Sequence, residues 1–315
     1  MGVFLPAAKI TVSGEGLIGL GFLIGVLSGL FGVGGGFLIT PMLNAVFGIP
    51  YNFAVGSGLF QMIATSGAAT IRHRKYGQVD CKLAIFLVLG SLPGAEIGAQ
   101  ILRYLKGLGF VNINGRSFDL MYIWMTVIYI LFLIPIGVFM FKEGKSSMKK
   151  VKEGIITGDE VELNRICYML RSIKVYPYIR CPVSGLDRIS LWVPFSVGLV
   201  MGILSGLLGV GGGVILVPVL IYFLGLPTKV VVGTSLFQMI FTAGYGGLTH
   251  LLKGNVDFIL VILILAGSLT GSQLGAFLNK KMKKSSLRYY FSWIVFAAIF
   301  VIVVKFLWNL GVIPK

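Results

Sequence analysis

Residues 25–43 read GVLSGLFGVGGGFLITPML, and residues 202–220 read GILSGLLGVGGGVILVPVL. The two stretches align without a gap at an offset of 177, and the register holds well beyond them. Gly48-Ile49-Pro50 meets Gly225-Leu226-Pro227, and the pentapeptide Leu59–Ile63 recurs unchanged as Leu236–Ile240. His73/His250, Gly77/Gly254, Asp80/Asp257 and Gly90/Gly267 continue the match. About 35 of the 78 positions from 25 to 102 are identical in the second copy, far above what shared apolar composition produces. The sequence is therefore a duplication. Repeated halves, with a solute site where they meet, are how many secondary transporters are built.

The surroundings of the repeat set its solvent. Hydrophobic residues make up 56% of the 315-residue chain and charged ones only 12%, and the mean hydropathy is +0.93. Soluble domains carry roughly 25% charge. Several stretches run about 20 residues without a charge, enough to cross a ~30 Å hydrocarbon core. The 27 Lys and Arg against 11 Asp and Glu give a net charge of +16, which could be misread as a nucleic-acid signature. The basic residues fall between the apolar segments, where cytoplasmic loops collect them. No nucleic-acid partner is expected. Cys81, Cys167 and Cys181 are odd in number and lack metal-ligand spacing, so neither a disulfide framework nor a metal site follows. Nothing calls for a cofactor. Position 6 is Pro where a myristoylation signal needs Ser or Thr, and the N-terminus does not read as a cleaved signal peptide.

Each half reads as one long interrupted apolar segment and three spans, an all-α polytopic membrane protein. The segments are about 17–48, 53–71, 83–102 and 120–141, then 195–224, 230–251, 258–279 and 289–310. Residues 1–142 form an N-terminal membrane repeat, 143–190 a polar linker and 191–315 a C-terminal membrane repeat. The run Gly32-Val33-Gly34-Gly35-Gly36 splits the first segment into pieces of about 15 and 12 residues, each a half-membrane helix of ~18–22 Å. If the segment turns back, the halves are inverted and Lys and Arg divide about 20 to 7 between the two sides. If it crosses, they divide about 18 to 9. The re-entrant, inverted arrangement is preferred, with a cytoplasmic linker and external termini.

The glycine runs are the leading site candidates. Consecutive glycines destabilise a helix interior by about 1 kcal/mol each. They also uncover peptide groups that lipid penalises unless a partner or water satisfies them. A helix restarting at such a break points bare amides and the positive end of its dipole outward, which suits an anion. Gly34, Gly35, Gly36, Gly211, Gly212 and Gly213 are thus expected to bind substrate. The duller reading is close helix packing, and for the ladder Gly90, Gly94, Gly98 with Gly267, Gly271, Gly275 packing is preferred. Gln61 and Gln238 lie inside the second span of each half, with Ser57, Thr234 and Ser235 one turn earlier. The spacing of 57, 61 and 65 makes one polar stripe, either touching substrate or bonding between helices. His73 and His250 end those spans and are either proton carriers or headgroup-level caps, with Asp80 and Asp257 starting the next helices. Glu96 is the carboxylate well inside a span, and its counterpart is Gln273, so it is a candidate for proton coupling in one half only.

At these residues the chain resembles the TauE/SafE sulfite exporter family. The resemblance rests on the paired runs Ser28–Gly36 and Ser205–Gly213, the following Pro41 and Pro218, and the Leu-Phe-Gln motifs of both second spans. It covers about 17–141 and 192–310 and leaves out the charged linker. What it implies is transport of sulfite, a sulfonate or a related anion across the cytoplasmic membrane, coupled to protons. The expected partners are a small anion and the bilayer, and a homodimer is left open. A channel-like anion pore of the same architecture is the alternative, and a membrane enzyme has no constellation to support it. The sequence names neither the anion nor the direction of its movement.

Overall fold

The computed structural model describes residues 2–106, 110–113, 116–153, 165–173, 175–208 and 212–309. The chain is mostly helical: α1 Gly14–Phe31, α2 Gly36–Phe47, α3 Tyr51–Lys75, α4 Cys81–Lys106, α5 Leu120–Lys152, α6 Arg165–Arg171, α7 Trp192–Leu208, α8 Gly213–Tyr222, α9 Thr228–Leu252, α10 Phe258–Lys281 and α11 Lys284–Asn309. Among the described residues five stretches are long and apolar enough to cross a membrane. They are Gly14–Phe31, Cys81–Ile101, Thr126–Ser146, Thr228–Leu252 and Phe258–Lys281. Three antiparallel hairpins add the only described strands: β1 Gly2–Leu5 with β2 Ile10–Ser13, β3 Phe110–Ile113 with β4 Arg116–Asp119, and β5 Tyr178–Cys181 with β6 Leu186–Ser190. The stretch 143–190, expected as a linker, thus contains the end of α5, all of α6 and the hairpin β5–β6.

Local chemistry sets the first break. Ser13 caps α1 by accepting from the Gly16 amide, and Gly32, in the left-handed region at φ 74, ends it with its amide on the Ser28 carbonyl. Only glycine adopts this conformation at little cost. Gly34 and Gly35 are left-handed as well, at φ 65 and 77, and α2 restarts at Gly36. The 18 residues of α1 span about 27 Å, close to a full crossing rather than the expected half. Gly35 rests against Ile24 midway along α1, and the Phe47 ring at the end of α2 lies beside Gly16 at its start. The pair is a helical hairpin. The second copy repeats the design with α7, a left-handed Gly212 at φ 81, and α8.

Glycine spacing also decides which helices touch. Gly21, Gly25 and Gly29 of α1 abut the carbonyls of Ile264, Ser268 and Ser272 on α10. In return Gly267, Gly271 and Gly275 receive Ile18, Phe22 and Val26. Contacts advance together along both helices, so α1 and α10 run parallel. Gly90, Gly94 and Gly98 of α4 meet Phe195, Leu199 and Ile203 of α7 in the same way. A Cβ at any of these positions would overlap backbone, so the ladder is a packing device that lets dispersion act where lipid supplies no hydrophobic drive. Each first helix therefore pairs with the fourth helix of the other half.

At the centre α3 and α9 run antiparallel, with Gly56 against Asn255, and Leu59 and Phe60 against Gly246 and Gly247. The α3–α4 turn, the start of α9 and the end of α10 lie together, since Lys229 Nζ donates to the Lys280 carbonyl at 2.9 Å and Lys280 sits over the Tyr76 ring. At the opposite end the β1–β2 turn docks on the start of α10 through Asp257. Outside this core, α5 and α11 pack antiparallel through Phe141 against Tyr289, Trp293 and Phe296.

Candidate functional site

The two glycine breaks meet. Gly213, the first residue of α8, lies against the Cα and carbonyl of Val33 in the first break. Gly34 faces the thioethers of Met239 and Met62, and Met239 also reaches Gly213. Neither α2 nor α8 has a side-chain cap at its N-terminus. Two uncapped helix starts from opposite halves thus converge on one buried point, filled by a pair of methionines at equivalent positions. Gly34, Gly35, Gly36, Gly212 and Gly213 are all buried, whereas Gly211 lies outside the described residues. The point is closed in this conformation rather than open to water. The side chains that fill it are flexible thioether ends, and Met repacks at small cost.

The polar stripes have a different address. Gln61 is fully buried and donates its amide nitrogen to the Thr65 hydroxyl, which lies 3.0 Å from Ser268 of α10. Gln238 donates to Ser91 of α4 at 3.0 Å. Ser57 accepts from the Asp257 amide and Thr234 from the Asp80 amide, each at 3.0 Å. The stripes therefore join the α3–α10 and α9–α4 seams, the inter-helix role that the sequence admitted beside substrate contact. The side-chain oxygens of Gln61 and Gln238 remain buried without a hydrogen-bond partner. Ser235 does reach the break, donating to the Gly32 carbonyl at 2.8 Å.

The histidines and acids divide likewise. His73 is buried, with Nε2 2.9 Å from the Gly29 carbonyl and Nδ1 2.8 Å from Gln78 Oε1. Through these two contacts the ring pins the end of α1 to the α3–α4 turn. His250 is half-buried at the end of α9, and its carbonyl accepts the amides of Lys253 and Asn255. Asp257 caps α10 by accepting from Ile259 and Leu260, as expected, and Asp80 accepts from Leu83. Each then reaches further: Asp257 takes the Ala7 amide at 2.9 Å, and Asp80 takes both the amide and the hydroxyl of Ser184. Glu96 is half-buried between α4 and α9, receiving the Tyr245 hydroxyl on Oε2 and the Gln100 amide on Oε1.

Residue reasoning missed Met62 and Met239, although both stand in the duplicated Leu-Phe-Gln-Met-Ile motif. It also missed Ser28 and Ser205. Gly212 packs beside Ser205, and Ser28 lies one turn beyond Ile24, the residue that supports Gly35. The hydroxyls of Ser28 and of Ser66, one turn past Met62, are buried without a hydrogen-bond partner. A free hydroxyl donor beside a helix break, as that of Ser28 is, suits an oxyanion.

A mostly helical chain with five described stretches long and apolar enough to cross a membrane is the make-up of a multi-pass membrane protein. The chain belongs to the sulfite exporter TauE/SafE family, whose sequence model matches residues 17–302. It is 27% identical over 278 residues to the probable membrane transporter protein YunE of Bacillus subtilis, covering 86% of this chain and 90% of that one. It is 29% identical over 287 residues to the probable membrane transporter protein MJ0441 of Methanocaldococcus jannaschii, covering 86% and 88%. A further Bacillus subtilis relative, the probable membrane transporter protein YdhB, is 25% identical over 85% of this chain and 91% of its own. These relatives are named as transporters, not enzymes. No solved structure matches the chain.

Proposed function

We propose that the protein is a secondary transporter for a small oxyanion, sulfite or an organosulfonate, which it moves across the cytoplasmic membrane by alternating access. One observation carries the reading: the contact of Gly213 with Val33 brings two uncapped helix starts to one buried point. Dipoles and amides from both halves would then face one anion, with Ser28 and Ser66 as hydroxyl donors and Gln61 and Gln238 nearby on α3 and α9. The family's description as sulfite exporter supports the substrate class.

Alternating access needs two arrangements of one framework, and inverted halves supply them. In support of inversion, α1, α3 and α10 share one direction and α4, α7 and α9 share another, as the advancing glycine contacts and the hydrogen bonds Thr65–Ser268, Gln273–Ala68, Gln238–Ser91 and Tyr245–Glu96 require. Under this reading α1–α2 and α7–α8 are re-entrant hairpins from opposite sides. The hairpin β5–β6 then belongs to the second half, as β1–β2 belongs to the first. Arg72, Arg74, Lys75, Lys229, Lys280 and Lys281 gather at the end where the linker emerges, which by the positive-inside tendency is cytoplasmic.

Proton coupling is assigned to Glu96, with Tyr245 as its hydrogen-bond partner and Gln273 at the uncharged equivalent. Purified protein in proteoliposomes loaded with sulfite, sulfate, thiosulfate or a short sulfonate gives the test. Flux of one of these should follow an imposed pH gradient, and Glu96→Gln should abolish that dependence while leaving exchange intact. Flux of none of them, in protein that remains folded, sinks the anion reading. Current without any gradient dependence points to the channel instead.

A further inference from the structure

Arg72 lies on α3 one turn before that helix ends, half-buried in the crevice between α3 and α10. Three neutral groups hold its guanidinium. Nε donates to the Tyr76 hydroxyl at 3.1 Å, Nη1 donates to Gln273 Oε1 at 3.3 Å, and Cζ stands 5.6 Å from the centre of the Phe277 ring. Gln273 is itself anchored, donating to the Ala68 carbonyl at 2.7 Å. Two more cations use the same rings: Lys280 Nζ is 4.5 Å from the centre of Tyr76, and Lys281 Nζ is 4.5 Å from that of Phe277. Among the described residues no carboxylate pairs with any of the three.

Three like charges held together on two aromatic rings repel one another, and an anion seated among them would relieve that repulsion. The position says which anion. The cluster occupies the last turns of α3 and α10, at the basic end of the molecule, and it is bordered by the exposed apolar side chains of Ile71 and Leu274. Apolar shoulders around a cationic centre, at the level where a span leaves the hydrocarbon, match a lipid headgroup with its acyl chains.

The other half does not repeat the arrangement. At the offset of 177, Thr249 stands for Arg72, Lys253 for Tyr76, Glu96 for Gln273 and Gln100 for Phe277. A packing role would be expected in both copies, whereas a ligand confined to one leaflet needs only one. We propose that the α3–α10 crevice binds the phosphate of an anionic phospholipid from the leaflet at the basic end of the molecule. This inference does not depend on which solute is transported.

The experiment uses full-length protein in neutral phosphatidylcholine nanodiscs, with dioleoyl phosphatidylglycerol added in steps. Thermal stability and native mass spectrometry are read in parallel. Wild type should gain stability and retain phosphatidylglycerol. Affinity should fall about five-fold for each charge removed in Arg72→Gln and in the double variant Lys280→Gln/Lys281→Gln. Gln273→Glu, which keeps the arginine but sets a carboxylate on it, should abolish retention. Lys145→Gln/Lys149→Gln, on the exposed end of α5, should change nothing. Unaltered lipid retention in both the Lys280/Lys281 pair and Gln273→Glu overturns the proposal, as does equal stabilisation by inorganic phosphate without anionic lipid. Because the lysine pair is exposed, its result stands even where Arg72→Gln disturbs folding.

Discussion

Gly213 of α8 packs directly on the main chain of Val33, so the two duplicated interruptions are one structural joint. A methyl group at 213 would press on the Val33 Cα and carbonyl, which cannot rotate away as a side chain can. Gly213→Ala should cost about 1–3 kcal/mol of stability and lower flux at least ten-fold. The matched pair Gly67 and Gly244 is the control. Nothing lies within 4 Å of a Cβ at either, and neither has a left-handed backbone. Gly67→Ala and Gly244→Ala should stabilise their helices by roughly 0.5–1 kcal/mol with flux unchanged. Equal flux in Gly213→Ala and Gly67→Ala would deny the joint any role in transport.

Much of this was readable because glycine marks backbone proximity in the sequence itself. The breaks at 32–36, the ladder at 90, 94 and 98, and the caps at Asp80 and Asp257 all lie where residue chemistry puts them. What the residues did not disclose was partner choice. Gly25 and Gly202 both precede an apolar residue and the same Leu-Ser-Gly, and nothing local says that each packs on the fourth helix of the opposite half. The hairpins were equally silent. Ala7 and Ser184 occupy equivalent positions, yet both use their backbone amides to meet an aspartate, and a backbone donor leaves no side-chain signature. Ser57 and Thr65 meet Asp257 and Ser268 along the α10 side of α3, but direct substrate contact and a helix seam need the same residue types.

Asp257 should be the more sensitive of the two hairpin latches to charge removal. Its carboxylate accepts amides from Ala7 at 2.9 Å, Ala8 at 3.4 Å, Ile259 at 3.1 Å and Leu260 at 3.2 Å. Losing the cap alone costs about 1–2 kcal/mol, and the charge-assisted bonds to the hairpin add to it. Asp257→Ala should lower the melting temperature by several degrees and speed hydrogen exchange at Ala7 and Ala8. Asp80→Ala should do the same at Ser184, leaving Ala7 protected. Exchange that stays slow at both sites contradicts the latch.

Cys181, at the end of β5, gives a pH-dependent readout of the same region. Burial chiefly, and then the nearby Asp80 charge, push its thiol up from 9.0 to about 12, with Lys82 partly opposing them. The fold thus favours the neutral thiol, so its contribution to stability is intact below about 9 and declines as pH rises toward 12. The thiolate is the reactive form, so a thiol held neutral by burial reacts slowly. Maleimide at pH 8 should therefore modify the half-buried Cys81 and leave Cys181 untouched, as peptide mass spectrometry would show. Asp80→Asn should bring Cys181 labelling forward to lower pH. Rapid labelling of Cys181 in folded wild type would contradict its burial.

Met239 fills the space between the two breaks, touching both Gly34 and Gly213, with Met62 on the other side of Gly34. Met239 is fully buried and Met62 nearly so, and both belong to a small cluster with Val55, Leu59 and Ala243. Truncating a buried Met to Ala costs about 2–5 kcal/mol, so Met239→Ala should be visibly less stable. Its effect on transport should have the opposite sign. Removing the thioether opens the point where the amides converge, so bulkier sulfonates should be admitted and the preference for the smallest anion should narrow several-fold. Met239→Leu, similar in volume but branched and stiffer, should keep stability within about 1.5 kcal/mol and slow turnover. Competition between sulfite and a larger sulfonate, measured as a ratio of fluxes in the same proteoliposomes, separates a change in selectivity from a loss of folded protein. A ratio identical in wild type and Met239→Ala would mean that the methionines do not border the path of the anion.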